Sequence, residues 1–281
     1  MAIAPGLDLA AAPEGARWLS RLERFDVVGS TNDVVMGWLR DGTPEVCVAV
    51  AGEQTAGRGR SGRTWVAPKD AALLLSVGFT PFWLDPLVVW RLAAIVSLAM
   101  AEAGESVAGV PKGTIRLKWP NDLVVLDRPS GAVRKVAGVL GETEGLGAAG
   151  SRAVIGIGMN AGWPRSEFPP ELANGMTSLG ELSRERTIER EELFDAFLAR
   201  LDGPVRDLRR GVFAAEAWRA RQVTSGNLIQ LEWPDGSAET VSAVDVDPGS
   251  GALVVARPDG TGPNRRVLVG EIRHLRVGAT V

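Results

Sequence analysis

The chain has 281 residues, with 34 acidic against 31 basic side chains, one histidine and one cysteine. A formal net charge of −3 argues against generalised nucleic-acid binding, while leaving room for a local basic loop. The single cysteine, Cys47, excludes an internal disulfide, and the single histidine, His274, excludes metal sites that need two imidazoles. We therefore expect a cytoplasmic protein whose chemistry depends on arginine, lysine, carboxylates and backbone amides.

The first half of the chain predicts alternating helices and strands. Residues 1–20, rich in alanine, glycine and proline, predict a flexible N-terminal tail. Hydrophobic periodicity then predicts, in order, a helix Asn32–Arg40 capped by Ser30 or Thr31, strands Val46–Ala51 and Leu73–Phe79, a buried helix Leu87–Ala103, and strands Ile115–Lys118, Leu123–Leu126, Val136–Leu140 and Val154–Gly158. The apolar stretch 71–100 is interrupted by prolines and charges, so no membrane span is expected.

The second half of the chain predicts one further helix and then a series of short strands. Thr187–Leu201 predicts an amphipathic helix that is capped by Thr187 and ended by Pro204. After Val223, short apolar runs alternate with Pro-Asp-Gly and Pro-Gly turns, which indicates a small all-β module. The sequence thus predicts an α+β protein, with strands and helices in residues 21–222 and a small β-barrel in residues 223–281.

The strongest local motif is a loop rich in glycine and arginine, at residues 57–63. Its three glycines match the dinucleotide pattern GxGxxG, but no crossover helix follows, so that interpretation fails. Three arginines among glycines instead indicate a mobile clamp for phosphate or carboxylate. A solvated basic turn remains the alternative, and Trp65 nearby could either stack on a nucleobase or anchor the core.

Four further clusters admit both a structural and a functional interpretation. Lys118-Trp-Pro-Asn-Asp122 is a turn or a site at a strand end, and Lys135-Val-Ala-Gly138 is a protected edge strand or a ligand-binding one. Gly156-Ile-Gly158-Met-Asn160 is a tight bend or a ligand contact. Ser30-Thr31-Asn32 is a helix cap or a set of donors for a small polar ligand.

In this order, the five clusters resemble the signatures of the biotin protein ligase family. The resemblance extends over roughly residues 22–277. It implies a class II synthetase-like catalytic domain, with a mixed β-sheet packed against helices, followed by a small SH3-like barrel. It also implies that ATP, with Mg²⁺, activates biotin to biotinyl-5′-AMP, which then biotinylates one lysine of a carrier domain of acyl-CoA carboxylases.

The resemblance also implies roles for individual residues. Lys135, Lys118, Arg58 and Arg60 would be catalytic, with Lys135 between the biotin carboxylate and the α-phosphate. The remaining implied residues would bind biotin or ATP: Ser30, Thr31, Asn32, Gln54, Gly57, Arg63, Trp65, Gly138, Gly158 and Asn160. None is expected to bind a metal directly.

The expected partners are biotin, ATP and the biotin carboxyl carrier domain. The short N-terminal segment leaves no room for a helix-turn-helix module, so we expect no nucleic-acid partner. We also expect no membrane partner, and a monomer or weak homodimer. Two alternatives remain open at this stage. One is ligation of lipoate or octanoate on the same fold, and the other is a biotin-responsive DNA regulator.

Overall fold

A mixed seven-stranded sheet forms the larger part of the molecule. The computed structural model describes residues 16–127, 131–183 and 186–275. The sheet order is β1-β2-β3-β7-β6-β5-β4; β1 is parallel to β2, and the other neighbouring pairs are antiparallel. Its strands are β1 (Arg21–Val28), β2 (Cys47–Gln54), β3 (Ala72–Phe79), β4 (Ile115–Lys118), β5 (Asp122–Asp127), β6 (Ala132–Glu144) and β7 (Arg152–Asn160).

Helices cover both faces of this sheet. They are α1 (Thr31–Arg40), α2 (Trp90–Ala108), α3 (Leu179–Leu182), α4 (Arg190–Arg209) and α5 (Ala215–Ala220). Because side chains alternate between the faces of a strand, β3 serves two layers. Leu73 and Val77 join the main core with α2 and α4, whereas Gly78 faces α1, where an added Cβ would lie 2.5 Å from Val35. The α1 face is thus separate from the main core.

A second, five-stranded antiparallel sheet follows. It consists of β8 (Asn227–Glu232), β9 (Ala238–Val246), β10 (Leu253–Ala256), β11 (Arg265–Val267) and β12 (Glu271–Leu275), in the order β11-β10-β9-β8-β12. The segment before it pairs with β4, because the Leu117 N–H donates to Arg221 O (2.8 Å) and the Val223 N–H donates to Leu117 O (2.8 Å). Arg221 also forms a buried bidentate ion pair with Glu105 of α2, at 2.8 and 2.9 Å.

Most predicted elements are confirmed, with corrections at α4. The helix begins at Arg190 after Glu189 rather than after a Thr187 cap, and it continues through Pro204 to Arg209. The predicted cap and the predicted stop are therefore both wrong. The edge strand β1 and the helices α3 and α5 were not predicted.

Parts of three predicted regions lie outside the described residues. These are residues 1–15 of the tail, residues 128–130 and 184–185 of the region 21–222, and residues 276–281 of the C-terminal module. In the described part of the tail, Ala16 and Leu19 are buried against the main core. The segment Pro86–Ala108 is long and apolar enough for a helix that could cross a membrane, with a mean hydropathy of 1.6 over an 18-residue window, but 56% of that window is buried inside the protein, as in a core helix.

Candidate active site

A cavity of about 270 Å³ lies on the α1 face of the large sheet, over β3, β6 and β7. Glycines on β6 and β7 make room for it. A Cβ at Gly156 would lie 2.2 Å from Asn32 Oδ1, and one at Gly158 would lie 2.6 Å from Trp65 Cε2. A Cβ at Gly138 would meet Trp65 Cζ3 at 3.0 Å. These glycines therefore let Asn32 and the Trp65 ring lie directly on the strands.

Twelve of the fourteen predicted site residues line this one cavity. Those that line it are Ser30, Thr31, Asn32, Gln54, Arg58, Arg60, Arg63, Trp65, Lys118, Lys135, Gly138 and Gly158. They come from α1, β2, the glycine-arginine loop, β4, β6 and β7, so the fold gathers segments that are distant in sequence. The clustering supports the functional interpretation of the motifs over the separate structural ones.

The other two predicted residues lie outside the lining and shape it. The Gly57 carbonyl accepts a hydrogen bond from the Trp65 N–H (3.0 Å), and a Cβ on Gly57 would lie 2.6 Å from Trp65 O. Asn160 is completely buried and donates from Nδ2 to Thr177 O (2.9 Å). Gly57 thus permits the close turn of the loop, and Asn160 holds the segment that follows β7.

One end of the cavity is a network of uncharged polar groups. Gln54 Oε1 accepts hydrogen bonds from the Thr31 N–H (2.8 Å) and the Thr31 hydroxyl (3.0 Å). The buried Ser76 hydroxyl lies 2.7 Å from Thr31 Oγ1 and 2.6 Å from Asn32 Oδ1. This end can hydrogen-bond an uncharged polar ligand group without burying a charge.

The opposite end carries two lysines that share one carboxylate. Lys135 Nζ lies 2.6 Å from Asp122 Oδ1, and Lys118 Nζ lies 3.8 Å from Asp122 Oδ2. Lys118 also donates to Ile272 O of the second sheet (3.0 Å). Burial lowers the pKa of Lys118, since desolvation disfavours its charged form. Lys135 Nζ lies 5.2 Å from the centre of the Trp65 ring, within cation–π range.

Carboxylates from elsewhere in the chain hold the glycine-arginine loop. Arg58 bonds both Asp33 and Glu142, while Arg63 pairs with Glu271 of the second sheet. The Ser61 hydroxyl donates to Glu271 Oε1 (2.9 Å). The described loop is thus held in place over the cavity, unlike a solvated basic turn.

The charge of the lining favours an anionic ligand. Among the described residues, five cationic and two anionic side chains line the cavity, a net charge of +3. Such a surface attracts phosphates and carboxylates. Among those same residues there is no group of three or more side chains of the kinds that could hold a metal ion.

Sequence reasoning assigned no role to four residues that organise the site: Asp33, Ser76, Glu142 and Glu271. Three of them are carboxylates that bond a predicted arginine or asparagine, and Ser76 joins Thr31 to Asn32. Glu142 stands on the same strand as the Lys135-Val-Ala-Gly138 cluster, four positions after Gly138. Its even spacing from Gly138 was the one available signal, because it places both residues on the α1 face.

Cys47 takes no part in the site. It is buried in β2 beneath α1, and burial raises the pKa of its thiol to about 12.

Comparison with known proteins places the chain in a family. The sequence profile of the biotin/lipoate A/B protein ligase family matches residues 25–160. A biotin–[acetyl-CoA-carboxylase] ligase of Mycobacterium tuberculosis is 32% identical over 93% of this chain and 91% of its own length. The one from Paracoccus denitrificans is 30% identical, over 75% and 84%.

A solved structure agrees at the level of the fold. The biotin protein ligase from Aquifex aeolicus, in complex with biotin and ATP, has a TM-score of 0.72 and covers 91% of this chain and 98% of its own, at 24% identity. The chain therefore belongs to the biotin/lipoate A/B protein ligase family, among its biotin protein ligases.

Proposed function

We propose that the chain is an ATP-dependent ligase that attaches biotin to one lysine of a biotin carboxyl carrier protein, through biotinyl-5′-AMP. The observation that supports this function most directly is a single cavity with an uncharged polar end at Thr31 and Gln54 and a cationic end at Lys118 and Lys135. Biotin has a polar uncharged ring at one end and a carboxylate at the other, so it matches both. The names of the relatives, biotin–[acetyl-CoA-carboxylase] ligases, support the same reaction.

The first half-reaction must bring two anions together. The biotin carboxylate attacks the α-phosphate of ATP, the bond to the β-phosphate breaks, and pyrophosphate leaves. Unit charges about 4 Å apart repel by roughly 4 kcal/mol at an effective dielectric of 20. That would slow the reaction about a thousandfold, since each 1.36 kcal/mol is tenfold in rate. Lys135, Lys118 and Arg60 of the loop would offset this repulsion.

The second half-reaction needs a protected adenylate. The carrier lysine attacks the acyl carbon of the mixed anhydride, AMP leaves, and the amine gives up a proton. Water would compete for the same carbon, so a loop that covers the adenylate is useful. Arg58, Arg60 and Arg63 lie on that loop, and all three line the cavity.

Mg²⁺ is expected as the companion of ATP. It usually keeps several waters and binds through one or two carboxylates together with substrate phosphates. Asp122 and Glu271 are the carboxylates of the cavity lining and would be the ones available to it. The bound ion would withdraw charge from the phosphates.

Finer features of the proposal concern architecture and setting. We assign residues 21–222 to the catalytic domain and residues 223–281 to an SH3-like barrel, supported by the five-stranded antiparallel sheet. The proposed setting is the cytoplasm, the proposed state is a monomer or weak homodimer, and the proposed partner is the carrier domain of an acyl-CoA carboxylase, without nucleic acid.

A transfer assay tests the function. Purified protein, ATP, Mg²⁺ and biotin are incubated with a biotin carboxyl carrier domain and with a variant in which arginine replaces its acceptor lysine. Mass spectrometry should show one biotinyl group on the first domain and none on the second. No transfer beside an active control ligase, or transfer of lipoate or octanoate in preference to biotin, would refute the assignment.

A further inference from the structure

A chain of hydrogen bonds runs from the polar end of the cavity to the covering loop, and it passes through Glu142. On the cavity side, Asn32 Nδ2 donates to Glu142 Oε2 at 2.8 Å. On the loop side, Arg58 Nε donates to Oε1 at 3.2 Å and Arg58 Nη2 donates to Oε2 at 3.1 Å. One carboxylate therefore holds a residue of the cavity wall and a residue of the loop at once.

The same contact settles the orientation of the Asn32 amide. A carboxylate can only accept, so the amide NH₂ must face Glu142 and the amide oxygen must face the Ser76 hydroxyl. The Ser76 proton then goes to Asn32 Oδ1, at 2.6 Å, and its oxygen can accept the single Thr31 hydroxyl proton, at 2.7 Å, in place of Gln54 Oε1, which keeps the Thr31 N–H as its donor. Through this sequence of donors, Glu142 fixes the groups that lead to Gln54.

At the loop end of this hydrogen-bond network, the Arg58 side chain is equally constrained. Arg58 carries five N–H donors, and four of them are used by Glu142 and by Asp33, which accepts from Nη1 (2.9 Å) and Nη2 (2.7 Å). The Arg58 guanidinium group is thus held in one orientation. Hydrogen bonding to Asp33, followed by that to Glu142, raises the pKa of Arg58, and the Arg58 guanidinium lowers the pKa of Asp33.

We propose that Glu142 is a positioning residue that couples the acid-binding pocket to closure of the glycine-arginine loop. A ligand that orders Asn32 and Thr31 also orders Glu142, and Glu142 in turn fixes Arg58 over the cavity. This inference rests on the proposed function, since it assigns Glu142 to the binding of biotin and the retention of its adenylate. Glu142 acts through its neighbours, without touching the reacting atoms.

The test compares two glutamates of the same strand. Glu142 and Glu144 both point to the α1 face of β6, but Glu144 pairs with Arg40 near the far end of α1. Glu142→Gln replaces one carboxylate oxygen, which accepts hydrogen bonds, with an NH₂ group, which can only donate. Asn32 and Arg58 both donate to this side chain, so at least one charged hydrogen bond is lost. We expect the KM for biotin to rise about tenfold or more. The KM for ATP should stay essentially unchanged, and free biotinyl-AMP should accumulate.

Glu144→Gln should leave both KM values and adenylate retention as in the wild type, and Glu142→Asp should restore part of the biotin affinity. A purely structural role would lower the melting temperature and the active fraction while leaving the KM for biotin unchanged. If Glu142→Gln matches Glu144→Gln in KM and adenylate release while the wild type is active, the inference is overturned. If the wild type itself does not activate biotin, the proposed function has failed instead.

Discussion

The Gly158→Ala variant tests whether the Trp65 ring lies directly against Gly158 of the large sheet. In the structure, the added methyl would lie 2.6, 2.7 and 2.9 Å from Trp65 Cε2, Nε1 and Cζ2. Carbon atoms in contact sit at about 3.5–4.0 Å, so the ring must move by roughly 1 Å or the strand must yield. The backbone of Gly158 itself has no positive φ, so the collision with Trp65 is the main effect.

Overpacking of this kind costs about 1–3 kcal/mol of stability. A displaced Trp65 would also lose its contact with Lys135, so we expect a several-fold rise in the KM for ATP and a smaller rise for biotin. Urea unfolding gives the free energy of unfolding. Pyrophosphate release, measured against the concentration of each substrate, gives the two KM values.

Gly162→Ala is the matched control. It lies just after β7, has no positive φ, and an added methyl there meets no heavy atom within 4 Å. We expect it to leave stability and both KM values close to the wild type. Gly158→Ala with wild-type stability and an unchanged KM for ATP would show that Trp65 does not occupy this position over the strand.

Three further variants probe the loop, the buried lysine and the link between the sheets. Arg60→Gly should release biotinyl-AMP and label lysines of a bystander protein, which mass spectrometry detects; labelling confined to the carrier would contradict this. Burial lowers the pKa of Lys118 below its ordinary 10.5, so its charge is lost sooner as pH rises and adenylation should fall on the alkaline side. In Lys118→Arg the alkaline fall in the adenylation rate should move to higher pH. If it does not move, Lys118 is not the group whose deprotonation causes the fall. Arg221→Met leaves Glu105 buried without its ion pair and should cost about 3–5 kcal/mol in urea unfolding; a loss below about 1 kcal/mol would refute it.

The edge strand β1 shows where sequence patterns fail. Its sequence, RLERFDVV, carries four charges in eight residues, and of its side chains only Leu22 and Glu23 are buried. Glu23 is buried because Arg21 donates to it and lies over the Trp38 ring. Hydrophobic alternation cannot show such a strand, because its stability comes from pairing with β2 and from an ion pair whose partners are known only after folding.

For helix α4 the prediction failed for the opposite reason, because tertiary packing overrode a strong local signal, the proline at position 204. Pro204 cannot donate a backbone hydrogen bond and costs about 3 kcal/mol within a helix. Leu201, Val205 and Leu208 are all buried around it. Burial of each such side chain contributes about 1.5–3 kcal/mol, so together they outweigh the proline. Local rules predicted the stop, and tertiary packing reversed it.

In the site, too, the sequence predicted the functional residues but not the residues that bond to them. Motif order predicted which cations gather, because each motif sits at a strand end or on the loop beside it. It did not predict that Arg58 would have two carboxylate partners, Asp33 and Glu142, at sequence separations of 25 and 84.

Those partners change which cations can offset the repulsion between two anionic substrates. Arg58 is outnumbered by carboxylates, and Arg63 is balanced by Glu271. Lys118 and Lys135 share a single carboxylate, and Arg60 has a carbonyl, Gly270 O, at 3.4 Å. The uncompensated positive charge therefore lies with the lysine pair and Arg60. Arg58 contributes orientation instead, which is why its anchor Glu142 should affect binding and retention of the adenylate more than the rate of its formation.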